Sequence, residues 1–154
     1  MADLDDVSEV LAHPDVFWWV SPPITRRWAR DWLAEEIGLV ERDGGGRHAV
    51  VLKETGRVIG GCGLVRRALE WGPETELGYH LAREQWGRGY ATEAARACLG
   101  HARTAGLRRI VSLIYIDNPR SVAVARRLDM SLERELVWAG LPHGLWVADL
   151  ARSR

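Results

Sequence analysis

A run of ten residues, Gln85-Trp86-Gly87-Arg88-Gly89-Tyr90-Ala91-Thr92-Glu93-Ala94, joins a segment with strand alternation to one with helix periodicity. Before it, Leu77, Tyr79 and Leu81 alternate with Glu76, Gly78 and His80, giving one apolar face and one polar or small face. After it, Ala91, Ala94, Ala95, Cys98, Leu99 and Ala102 form a helical stripe, and Gly106 supplies a stop. A glycine turn therefore opens a helix. Gly87 and Gly89 let backbone approach a ligand, and the unpaired N–H groups of a first helical turn favour an anion such as phosphate.

Spacing separates the phosphate-binding alternatives. A dinucleotide fingerprint requires G-x-G-x-x-G, but Thr92 stands at the third glycine position, and the G-K-S/T of a P-loop is absent. The remaining pattern, Q/R-x-x-G-x-G/A, fits Trp86-Gly87-Arg88-Gly89-Tyr90-Ala91 with tryptophan in the first place. This resembles the acetyl-CoA pyrophosphate loop of the GNAT N-acetyltransferase superfamily.

The residues that follow extend the resemblance. Arg109 to Ile116 is apolar at nearly every position, as in a strand covered on both faces. Asn118 then suits the cap of a new helix and Pro119 its first position. The run Asn118-Pro119-Arg120-Ser121 matches the N-x-x-S that follows the fifth strand in the GNAT subgroup related to ribosomal-protein N-terminal acetyltransferases. Asp129-Met130 replaces the glycine and phenylalanine that close the helix there. The resemblance runs from His13 to the final hairpin, Leu136 to Leu150.

The resemblance implies a single domain over residues 1–154 with the α/β acyl-CoA N-acyltransferase fold. This fold is a mixed, mostly antiparallel sheet with splayed fourth and fifth strands, flanked by helices. It implies acetyl-CoA as cosubstrate, no metal, and direct transfer to a primary amine on a peptide N-terminus or a small molecule. Leu81, Trp86, Gly87, Arg88, Gly89, Tyr90, Ala91, Thr92 and Asn118 are then the expected cofactor-binding residues. Glu76 is the expected base, with His80 as its alternative on the same strand face. Many members carry a tyrosine proton donor on the helix after the fifth strand, but Ala125 occupies that place, leaving Ser121 as the expected donor. Trp18, Trp19, Trp138 and His143 are expected to face the acceptor. The missing tyrosine and the altered glycine-phenylalanine pair also suit a noncatalytic acyl-CoA-binding regulatory module.

Composition narrows the partners. With 21 basic and 21 acidic residues the formal charge is zero, which argues against a nucleic acid. Cys62 and Cys98 lack metal-ligand spacing and read as core thiols. No apolar run approaches a membrane span, and the acidic Met1-Ala2-Asp3-Leu4-Asp5-Asp6 is unlike a signal peptide, so a cytoplasmic setting without membrane contact is expected.

Coarse periodicity predicts helices over Val7–Ala12 and Thr25–Ile37, a flexible connector at Asp43–Gly46, and strands over Ala49–Lys53 and Val58–Leu64 around a turn at Glu54–Arg57. The family's first strand has no counterpart before the first helix. Either the start is assigned late, or a sheet edge lies open or is covered in some other way; an open edge invites pairing with a second copy, so a monomer and a homodimer are both consistent with the sequence.

Overall fold

In the computed structural model, residues 3–18 and 24–151 are described. The elements are α1 (Leu4–Ala12), α2 (Arg26–Asp43), β1 (Gly46–Val51), β2 (Val58–Leu69), β3 (Gly72–Leu81), a 3₁₀ turn (Arg83–Gln85), α3 (Tyr90–Thr104), β4 (Arg109–Tyr115), α4 (Pro119–Arg127), β5 (Ser131–Trp138) and β6 (Leu141–Asp149). The strands form one six-stranded sheet in the order β1-β2-β3-β4-β6-β5. Among the described residues no strand precedes α1, so the family's fourth and fifth strands are β3 and β4 here.

Two compact units divide the chain, Met1–Gly63 with Tyr79–Ala91, and Leu64–Gly78 with Thr92–Arg154. The first gathers Leu4, Val7, Leu11, Ala29 and Val58 into a core, against which Phe17, Ile24, Trp28, Trp32 and Leu33 pack. Each of the leucines and valines in that core contributes about 1.5–3 kcal/mol when fully withdrawn from water. Thr25 begins α2 by accepting from Trp28 N at 3.2 Å. The helix runs six residues beyond the predicted Ile37 and ends on Gly44, whose φ is +63°. The Asp43–Gly46 segment is therefore not a loose connector. It is a helix end, a left-handed cap and the first residue of β1. Buried Glu36 fixes this corner by accepting from Arg47 N at 2.9 Å and Arg47 Nη1 at 2.7 Å.

The second unit holds β4, whose Ile110, Val111, Ser112 and Ile114 are all buried, in keeping with its unbroken apolar sequence. It pairs antiparallel with β6 from Arg109↔Asp149 to Tyr115↔His143, and parallel with β3 at Glu76↔Val111. Just past that parallel pair, the buried Ser112 hydroxyl donates to Leu77 O at 2.9 Å. A side chain thus satisfies a buried carbonyl that a further ladder bond would otherwise serve. Three strands depart from their expected bounds. β1 starts at Gly46, β2 extends to Leu69, and β5 begins at Ser131 with a register shift between Leu132 and Arg134. Cys62 is buried, whereas Cys98 is only half-buried, on the flank of the α3 stripe.

Asp129 has φ +58° and follows the last turn of α4, while Met130 donates its N–H to Ala125 O at 3.0 Å and is buried. Aspartate tolerates the left-handed region better than most side chains. Asp129-Met130 thereby keeps the backbone path that glycine provides elsewhere and still delivers an apolar side chain to the core.

Candidate active site

The glycine turn lies in the first unit. Gly87 and Gly89 have φ of +77° and +84°, and a β-carbon at either would meet nothing within 4 Å. What favours glycine there is the left-handed backbone conformation, not crowding. Trp86 anchors the turn. Its indole donates to Leu81 O at 2.9 Å, the Arg83 guanidinium lies 4.7 Å from its ring centre, and it packs on Val10, Val16 and Ala82. Leu81 is buried, while Gly87, Arg88 and Gly89 are exposed and Tyr90 and Ala91 half-buried at the head of α3. Thr92, in the second unit, is buried within the first turn of that helix.

On β3, Glu76 and His80 occupy different surroundings. Glu76 is buried and accepts from Arg67 Nε at 2.6 Å, so its Oε2 is engaged by a guanidinium. His80 is half-buried between two aromatic rings, with Phe17 and Trp32 edge-on at 5.3 and 5.4 Å between ring centres. Loss of water around the ring, and secondarily the charge of Arg47, push its pKa down to about 3. The imidazole is thus neutral and weakly basic at pH 7.

In the second unit, Asn118 caps α4 by accepting from Ser121 N at 3.1 Å through Oδ1. Its carboxamide nitrogen carries two further donors. Because the cap uses the backbone of Ser121, the serine hydroxyl is not what starts the helix. Ala125, at the place of the family's tyrosine, is buried.

Of the residues expected to meet the acceptor, Trp18 is 45% exposed and Trp138 is half-buried. Trp19 lies outside the described residues. His143 is half-buried on β6, with Nδ1 2.9 Å from Leu141 O and its ring 5.9 Å from that of Tyr115. Among the described residues no group of histidine, cysteine and acidic side chains could hold a metal, and no helix is long and apolar enough to cross a membrane.

A family model described as "Acetyltransferase (GNAT) domain" matches residues 1–131. The chain belongs to the GNAT acetyltransferase family. It is 33% identical over 126 residues to the uncharacterized protein YkkB of Bacillus subtilis, covering 80% of this chain and 72% of that one. The crystal structure of an acetyltransferase from Agrobacterium tumefaciens shares 28% identity and a TM-score of 0.78 over 96% of this chain and 85% of that one. A phosphinothricin acetyltransferase from Sinorhizobium meliloti, solved with acetyl-CoA, shares the fold with a TM-score of 0.73 at 18% identity, covering 96% and 83%.

Several residues of this GNAT acetyltransferase escaped sequence reasoning. Arg67 is one of a pair with Arg66 on a strand, and nothing in the sequence says which of them reaches Glu76. Ser112 hides in an apolar run, where a lone polar residue was itself a signal that a buried group needed a partner. Arg109 bridges Glu74 and Glu133, three acid and base positions separated by 35 and 24 residues. Hydrogen bonding to Glu133, more than to Glu74, holds that guanidinium in its charged form. These pairings depend on strand register, which short-range periodicity does not give.

Proposed function

We propose that this GNAT protein moves the acetyl group of acetyl-CoA to a primary amine by direct transfer, with residues 1–154 acting as one catalytic domain in the cytoplasm. The observation that carries the reading is the turn at Gly87 and Gly89, left-handed at both glycines and opening α3 in a chain of this family. Successive backbone donors at the head of a helix suit a pyrophosphate. In this reading Gly87 to Thr92 hold the pyrophosphate, Trp86 keeps the turn in shape from Leu81, and the Asn118 carboxamide donates to pantetheine. Ser121 hands a proton to the thiolate as the carbon–sulfur bond breaks. The half-buried aromatic residues around Phe17 and the exposed Trp18 favour an acceptor with an apolar or aromatic portion beside its amine, from a peptide N-terminus to a small molecule.

Glu76 is ion-paired with Arg67 in this arrangement, and His80 contributes an uncharged wall. The test is release of CoA thiol from acetyl-CoA with a panel of N-terminal peptides, amino acids, polyamines and aminoglycosides. Thiol release dependent on one amine class supports the reading. Tight acetyl-CoA binding with no release from any amine replaces it with a noncatalytic acyl-CoA-binding module.

A further inference from the structure

We propose that the proton acceptor for the incoming amine is His143, an inference that rests on the acetyl-transfer reading above. A carbonyl oxygen only accepts hydrogen bonds, so the 2.9 Å contact between His143 Nδ1 and Leu141 O requires the proton on Nδ1. The neutral ring is thereby fixed in one tautomer, and the lone pair resides on Nε2. This is the form in which a histidine can take a proton.

Its location suits the role. His143 pairs in register with Tyr115, the last residue of β4, and with Leu136 on β5. The chain after Tyr115 turns directly into α4, because Asn118 N donates to Tyr115 O at 2.9 Å and Ile116 N to Pro142 O at 3.1 Å. His143 therefore stands beside the β4–α4 turn that carries Asn118 and leads to Ser121. Tyr115 packs edge-on against the imidazole and steadies its plane, while the Tyr115 hydroxyl is turned to Asp117 Oδ2 at 3.2 Å. On the β5 side the neighbour is Leu136, which is uncharged.

The two β3 residues are poorly suited to the same task, one held in an ion pair with Arg67 and the other, half-buried, flanked by Phe17 and Trp32. The proposed step balances. An ammonium R–NH₃⁺ gives one proton to Nε2, leaving R–NH₂ and an imidazolium. The amine nitrogen bonds to the thioester carbon, the carbon–sulfur bond breaks, and the second amine proton passes through Ser121 to the thiolate. The imidazolium then returns its proton to solvent.

The test combines kinetics with the resting tautomer. In His143→Gln, kcat/KM for the amine is expected to fall by roughly 10²- to 10⁴-fold near pH 7. The loss should shrink as pH rises toward the amine's own pKa, with KM for acetyl-CoA unchanged, and added imidazole should restore part of the rate to His143→Ala. In the wild type, ¹⁵N NMR should show the proton on Nδ1, the resonance being assigned by its disappearance in His143→Gln. A proton on Nε2, or wild-type turnover with an unchanged pH profile in His143→Gln, overturns the inference alone. Absence of thiol release by the wild type with every amine overturns the underlying reading and this step with it.

Discussion

The imidazole of His80 lies directly over Gly61, where a β-carbon would come within 2.8 Å of His80 Cε1 and 3.3 Å of its Nε2. The ring has little freedom to retreat, because Phe17 and Trp32 stand at its edges. Gly61→Ala should therefore destabilise the fold by about 1–3 kcal/mol, as overpacking does in a close-packed interior. Adding His80→Ala should recover part of that loss, and a double-mutant cycle by urea denaturation would measure the coupling.

The same enclosure gives His80 an acid-sensitive role. Its pKa in the fold is about 3, below the value near 6.5 of an unfolded chain. Between those values the unfolded chain binds the extra proton, so the stability contributed by this site is complete above pH 6.5 and is lost as pH falls toward 3. The slope from this single site is at most about 1.4 kcal/mol per pH unit. Unfolding free energies of His80→Gln between pH 4 and 7 should fall less steeply with acid than those of the wild type. Parallel slopes would remove the assignment.

Breaking the Arg67–Glu76 pair should be felt first in stability. Glu76→Gln leaves a half-buried guanidinium without its carboxylate, and a cost of about 1–3 kcal/mol is expected, reduced from that of a fully buried pair because Arg67 is partly solvated. If the proton goes to His143, this variant keeps the acidic limb of the pH–rate profile. Disappearance of that limb in Glu76→Gln would return the proton to β3.

Gly89→Glu tests the pyrophosphate turn. Adding a side chain at φ +84° costs about 1–2 kcal/mol of conformational energy, and no atom within 4 Å opposes the new β-carbon. A folded protein is expected, with acetyl-CoA affinity down at least about tenfold from the added negative charge beside phosphate. Calorimetry with Gly89→Ala as the strain control separates charge from conformation.

At α4, Asn118 and Ser121 should part company. Asn118→Ala removes the cap and should cost about 0.5–2 kcal/mol in melting experiments. Ser121→Ala leaves in place the backbone N–H that Asn118 accepts from, so this cap should survive while kcat falls and acetyl-CoA affinity stays within a few fold. Unchanged kcat would assign proton delivery to water.

What could be read from the sequence was what repeats at short range. The stripe from Ala91 to Ala102, the cap at Asn118 and the glycine turn are local patterns, and the fold follows them closely. The expected end of α2 at Ile37 falls short of the αL residue that closes it, Gly44. The chemistry of Glu76 and His80 was less legible. Their shared strand face was visible, but the guanidinium on one and the aromatic enclosure of the other come from segments 9 to 63 residues away in the chain. The tautomer of His143 was beyond sequence reasoning altogether, since it depends on the curvature that brings Leu141 O to the ring two residues on.

The Ser112 hydroxyl on Leu77 O has a mechanical consequence. An amide donor is locked in the plane of its peptide, whereas a hydroxyl turns about its own Cβ–Oγ bond and can follow a carbonyl as it tilts. At this point β3 is held to β4 by a swivel pin in place of a rivet. Such a joint tolerates a small change in the angle between the strands better than an amide donor would.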